Sequence, residues 1–358
     1  MFTPEQVKPF ITHADPLVSN AAIRFLAETY KYPQDISALV LEKLVAAPRK
    51  EDVYLHRAAA FPQTKVTVQA MLHLLKANLV TGNARIFLSR MLLGSSPDLL
   101  KSHLPAIKEL DEDWYDEAAE RVRVSELTDE WVRRMFNEET QKNSGLDYGE
   151  IDYDTLDLLL GEMIEREMLQ PRETMDELQE QYTKEPESVR TVYLMQAAGK
   201  LKIAYALPLF YDALKSDNDL VAEQAADALV RVGSEEVVEK LVQMYAEEKD
   251  GFLLLGIVDI LSRILLPSAE EALIALLEKE DHFTRIAKLA DGLCRLGSEQ
   301  ALPVVQELVK IGYDKDYVEL KESVYACCVI LGRPLPELDE WRREIAAEDE
   351  ERAKKLQG

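Results

Sequence analysis

The sequence has 358 residues and a formal net charge of −24, set by 42 Lys and Arg against 66 Asp and Glu. That balance argues against a duplex nucleic-acid partner, whose phosphates are held by clustered Lys and Arg. With 47% hydrophobic residues, 7% aromatics, 14 Gly and 15 Pro, the composition is that of packed helices around a continuous core, not of strands. No apolar run approaches the ~18 residues of a membrane span, and MFTPEQVKPF has neither the basic nor the apolar region of a signal peptide, so none is expected.

In chain order, the first predicted hairpin opens at DPLVSNAAIRFLAETY. Asp15 is its cap, Pro16 takes the first helical position, and Val18, Ala22, Phe25 and Leu26 face inward. Pro33 ends that helix, and a partner runs from Asp35 to Ala46. The next copy reads EDVYLHRAAAF, turns at Pro62 and continues as VTVQAMLHLL. The third, ARIFLSRMLLGSSPDLLKSHLPAIKEL, turns at Gly94, with Ser96 before Pro97 as a start signal. Two helices follow, divided at Leu127 and capped by Thr128. QKNSGLDYGEID then lacks apolar periodicity and predicts a loop over 142–152, long for a helix-to-helix connection. Helix resumes at YDTLDLLLGEMIEREML with Asp154 as cap and turns at Pro171.

Beyond Glu185 the pattern becomes regular. Predicted turns at Gly199, Gly233, Pro267, Gly297 and Gly332 are spaced 34, 34, 30 and 35 residues apart. Ser234, Ser298, and Ser268 with Glu271 as a capping box, mark fresh helix starts. In DNDLVAEQAADALVRVGSEEVVEKLVQMY, the stripe Val221, Ala225, Ala228, Leu229, Val232 is followed by a second, Val238, Leu241, Val242, Tyr245. A lone hairpin cannot bury both stripes, so copies must stack. The expectation is an all-α chain, an α-solenoid of about ten helical hairpins spaced 8–10 Å, roughly 100 Å along a curved axis. It would run continuously over 1–358. Its blocks are 1–110 (13 Lys and Arg against 9 Asp and Glu), 111–190 (9 against 25), regular repeats over 191–338, and a charged cap over 339–358.

The unit with Asp217, Val221, Ala225, Ala226, Leu229 and Gly233 resembles the HEAT-like repeat named after the phycobilin (PBS) lyases. DPLVSNAAIRFL and CRLGSEQALPVVQEL match parts of it. The resemblance implies an α-solenoid whose second helices line a concave, usually protein-binding face, with a minority of enzymes among its relatives.

Two of those enzyme classes are testable on residues. The deoxyhypusine hydroxylases hold two irons through His-Glu pairs, and none of His13, His56, His73, His103 or His282 precedes a Glu. The HEAT-like alkylpurine DNA glycosylases need a basic concave surface, which the acidic blocks oppose. Gly199-Lys200 lacks the earlier glycine of a phosphate loop. His56 and His73 could share a metal or acid–base site, but neither has a carboxylate at ligand spacing, and local hydrogen bonding at helix edges accounts for them. Asp147, Glu150, Asp152, Asp154 and Asp157 lack the glycine and terminal glutamate of a calcium loop. Cys294, Cys327 and Cys328 lie inside apolar stripes as small core residues, which suits a reduced, cytoplasmic setting.

What remains is an interaction protein with no catalytic residues, no metal and no cofactor. Tyr148, Glu150, Asp152, Tyr153 and Asp154 are the candidate contact residues for a basic protein or peptide, because Tyr buries ring area while keeping a polar tip. Two alternatives stay open: a lyase or chaperone-like protein handling a chromophore or modified chain, and nucleic-acid binding through 1–110. A deep pocket lined by convergent polar side chains would favour the first alternative; a broad groove would favour a scaffold. The oligomeric state has no signature in the sequence.

Overall fold

The computed structural model describes residues 1–46, 55–146 and 148–357. Among them are 22 α-helices and no strand, so backbone pairing is made within helices and the core is built between them. The chain has the all-α, α-solenoid fold expected from its hairpin pattern.

Most predicted starts and stops are found. Asp15 Oδ1 accepts from Leu17 N at 3.1 Å to cap helix Pro16–Glu28, whose Val18, Ala22, Phe25 and Leu26 are buried. Thr128 caps helix Asp129–Lys142, and Ser234 Oγ accepts from Val237 N at 3.4 Å. Helices Asp219–Val232, Phe283–Leu296 and Leu320–Leu331 end on left-handed Gly233, Gly297 and Gly332. Val221, Ala225, Ala228 and Leu229 are buried, as are Val238 and Leu241. Val232, Val242 and Tyr245 lie only half-buried at the edges of their stripes.

Four expectations are corrected. Gly199 is not a turn residue: it lies inside helix Val189–Lys200, and a Cβ there would come within 2.7 Å of Ala228 Cα. Its missing side chain lets helix Asp219–Val232 approach closely, and the chain turns instead at Lys202, whose φ is +53°. Ser268 and Glu271 form no capping box, because helix Pro267–Leu277 starts two residues earlier than a Ser268 cap would allow, with Pro267 in its first turn and Leu266 at the cap position. Ser268 Oγ has no hydrogen-bond partner. A helix does start at Pro97 with Ser96 at its N-cap position, though without a side-chain cap bond; what is corrected is its length, because the segment breaks into helices Pro97–Lys101 and Leu104–Lys108. Finally, Asp152 rather than Asp154 caps helix Tyr153–Glu165.

The chain forms two compact units, Ser95–Val237 and a second made of Met1–Gly94 with Val238–Gly358. In the first, Arg166 donates to the carbonyls of Val124, Ser125 and Leu127, satisfying the end of helix Glu112–Ser125 where a cation is favoured. Arg190 links Glu177 to Thr140 Oγ1, tying three helices together.

The second unit joins residues more than 300 positions apart. Helix Pro16–Glu28 packs against helices Leu320–Leu331 and Phe283–Leu296. Asp15 Oδ2 accepts from Tyr325 Oη at 2.8 Å and from Arg342 Nε at 2.7 Å, the latter from the charged tail helix Leu338–Gln357. Phe2 N donates to Leu296 O at 2.8 Å, and the Phe2 ring meets Phe25 edge-on, with centroids 5.6 Å apart.

Candidate functional site

Two places carry enough chemistry to consider. The first is the predicted contact loop in Ser95–Val237. Asn143, buried at the end of helix Asp129–Lys142, staples the loop shut: its Nδ2 donates to Glu139 O at 2.8 Å, and its Oδ1 accepts from Asp152 N at 2.9 Å. Within that span Tyr148–Glu150 form a 3-10 turn and Ile151 is buried. Asp147 and the Tyr148 side chain lie outside the described residues. Glu150 and Asp154 are exposed. The Asp152 carboxylate accepts from Thr155 N at 3.1 Å and Thr155 Oγ1 at 2.9 Å, so part of its hydrogen-bonding capacity belongs to the helix. Half-buried Tyr153 offers its carbonyl to Tyr193 Oη at 3.3 Å, and the same hydroxyl donates to Asp157 at 3.0 Å. Asp157 is exposed at the surface, yet partial desolvation by the surrounding protein outweighs that bond and raises its carboxyl above its ordinary value. On the preceding helix Trp131 is 50% exposed, with the Arg134 guanidinium 4.9 Å from its ring centre.

The second place went unnoticed in the sequence. In the other unit, a cavity of about 240 Å³ opens between helices Pro16–Glu28, Phe283–Leu296 and Leu320–Leu331 and the segment around Arg57 and Arg263. Its polar centre is the Glu28 carboxylate, which receives Arg24 Nε at 3.1 Å on both oxygens and also pairs with Arg57 and Arg295. Arg295, 9% exposed, bridges onward to Asp259 Oδ1 at 2.7 Å, and Lys288 reaches the same oxygen at 3.3 Å. Arg263 Nε donates to Glu28 O at 3.0 Å, while its Nη2 donates to Tyr30 Oη at 3.0 Å.

The electrostatics follow from this crowding of cations. Burial pulls the Glu28 carboxyl up, but Arg295, Arg24 and Arg57 together hold it below the ordinary range. Burial likewise opposes ionisation of Asp259, and Arg295 and Lys288 overcome it, driving that group far down. Both carboxylates and Arg295 are therefore ionised at neutral pH. Beneath them the cavity is apolar, formed by Phe25, Ala326, Ile330, Cys294 and Cys327 among others. A hydrogen bond to Cys327 and complete burial keep the Cys294 thiol protonated, as suits a core residue.

The cluster could have been suspected from Arg263 and Arg295, each a cation set between two buried positions: Ser262 and Ile264, then Cys294 and Leu296. His56 lines the cavity, with its ring 5.8 Å from Phe87, whereas His73 is exposed on another helix. His13 and His103 bond locally, to Asp15 N and Leu99 O. No group of three or more His, Cys, Asp or Glu able to hold a metal occurs among the described residues.

Residues 175–255 match the family model for HEAT repeats. The chain thus contains HEAT-like repeats, and repeats of this kind generally mediate protein–protein contact. No curated protein matches the chain. No solved structure matches it either. Among the described residues no helix is long and apolar enough to cross a membrane.

Proposed function

We propose that this protein is a non-enzymatic scaffold whose acidic unit, Ser95–Val237, binds a basic protein or peptide, with Tyr148, Glu150, Asp152, Tyr153 and Asp154 at the contact. The observation that carries the reading is the division of charge. That unit holds 15 Lys and Arg against 34 Asp and Glu, so it carries −19 of the chain's −24. A field of one sign speeds encounter with the opposite sign and rejects like-charged competitors. Exposed Trp131 supplies an aromatic anchor of the kind that dominates interface energetics. Rim carboxylates such as Glu150 and Asp154 set rate and salt dependence more than final affinity.

Several cations of residues 1–110 are engaged within the protein, which weakens the nucleic-acid alternative. Arg24 and Arg57 hold Glu28, Lys108 pairs with Glu112 at 3.0 Å, and Lys43 Nζ donates to His13 O at 2.5 Å. The cavity is smaller than the ~300–1,000 Å³ typical of drug-sized ligands, so it gives no support to chromophore handling.

The test is binding of a fluorescent oligolysine peptide to the full chain, followed by anisotropy. Affinity is expected to fall at least about tenfold between ~50 and ~300 mM salt, because the exposed charges become screened. The double substitution Glu150→Lys with Asp154→Lys is expected to weaken binding about three- to tenfold, mostly through the association rate. Affinity unchanged by both salt and substitution would refute the assignment.

A further inference from the structure

We infer that the cavity of the Met1–Gly94 and Val238–Gly358 unit is a binding site for a small organic anion, a carboxylate or phosphate carried on an apolar body. This is independent of the scaffold reading, since the two sites lie in different units and use charges of opposite sign.

Three observations converge. First, four guanidiniums line the cavity, from Arg24, Arg57, Arg263 and Arg295, against the carboxylates of Glu28 and Glu322. Asp259 pairs with Arg263 and Arg295 from outside the lining, so four guanidiniums face three carboxylates, a local surplus of one cation in a chain of net charge −24. Arg24 bonds Glu28 through Nε and Arg57 through one terminal nitrogen. A guanidinium has five N–H donors in a planar fork, so both side chains keep donors beyond those spent on Glu28. Their side chains are 36% and 34% exposed, which places them on the solvent side where an anion would enter.

Second, the walls below are Phe2, Phe25, Ala326 and Ile330, an apolar surface suited to a hydrocarbon or aromatic body and poorly suited to a bare hydrated ion. Third, Asn20 Oδ1 in the cavity wall is buried with no hydrogen-bond partner. A buried polar atom left unmatched is costly, and a hydroxyl or amino group on the ligand would satisfy it. Cationic rim, apolar floor and an unmatched amide together select an amphiphilic anion. The volume of about 240 Å³ restricts it to a small one.

The experiment uses the full chain with phenyl phosphate and benzoate as probes, titrated by calorimetry and checked by saturation-transfer NMR. Inorganic phosphate tests the head group without the body, and benzyl alcohol the body without the charge. At least one aromatic anion is expected to bind at a single saturable site, at least about tenfold tighter than either control. The preferred anion identifies the head group.

Arg24→Gln and Arg57→Gln, at part-exposed positions, are each expected to weaken that binding about tenfold while leaving the oligolysine affinity unchanged. Ala21→Phe, at a half-exposed position on the cavity wall, is expected to abolish it with the thermal midpoint preserved. The inference is overturned by any of three results: no saturable binding of either aromatic anion at ~5 mM, binding of benzyl alcohol as tight as that of the anions, or affinity unaltered in both arginine variants.

Discussion

Glu28 occupies a position that helix physics alone would disfavour. A carboxylate in the last turn of helix Pro16–Glu28 faces the negative end of the peptide dipoles. It is retained because Arg24, Arg57 and Arg295 surround it, and because Arg295, nearly buried, needs a counter-charge in addition to Asp259. Breaking such a pair from one side leaves an uncompensated charge in a poorly solvated place. Glu28→Ala is therefore expected to lower stability by about 3 kcal/mol, read from chemical denaturation. Arg24→Gln, which leaves two cations on Glu28, is expected to cost under about 1 kcal/mol. Arg295 is marked by its apolar neighbours, but its pairing with Glu28 was not legible beforehand, because the two stand 267 positions apart and Glu28 reads as an ordinary charge at a helix end. Asp15 was found for its capping role, yet its second oxygen, held by Tyr325 and Arg342, had no local sign.

At the scale of helices, periodicity reported faithfully what nearest neighbours require. The αL glycines, the Asp15 and Thr128 caps and the stripe of Asp219–Val232 were all readable because each depends on a few adjacent residues. Where a residue's role is set by a second helix, the reading failed, and Gly199 is the clearest case. Taken locally it is a breaker; against Ala228 it is the contact that fixes helix spacing. Gly199→Ala separates the two effects. Helix propensity would favour Ala by up to ~1 kcal/mol, whereas overpacking against a backbone atom costs about 1–3 kcal/mol. Because the obstacle is Cα rather than a movable side chain, a net loss is expected, measurable as a lower urea midpoint. The absent capping box at Ser268 has a similar origin. Pro at the first helical position sets the start, and the serine falls inside the helix.

At the scale of the molecule, the two units differ in how much of their stability rests on ionised carboxylates away from solvent. In the unit containing both ends of the sequence, Asp15, Glu28, Asp259 and Glu280 are held below their ordinary values, Glu280 at about 2. Groups with depressed folded values contribute stability that is fully present above an unfolded value near 4 and lost as pH falls through the folded one. In Ser95–Val237 the lowered carboxyls, Glu120 beside Arg123 and Glu180 beside Lys184, belong to exposed pairs that contribute little, whereas Asp157 is raised, so its protonation on acidification relieves a cost and the charge of −19 relaxes with it. Hydrogen exchange at pH 3 against pH 6, corrected for intrinsic rates, is expected to show protection lost in helices Pro16–Glu28 and Phe283–Leu296 before helices Tyr153–Glu165 and Val189–Lys200. Equal loss throughout would contradict the asymmetry.

The pairing of Asp15 with Arg342 also has a consequence in time. A ribosome adding roughly 5–20 residues per second needs about 16–65 s to travel from one to the other. For that interval helix Pro16–Glu28 lacks some of the partners it packs against, helices Phe283–Leu296 and Leu320–Leu331 and the Arg342 side chain, all made much later. Synthesis therefore imposes a waiting period on helix Pro16–Glu28, one that contacts between sequence neighbours alone would not require.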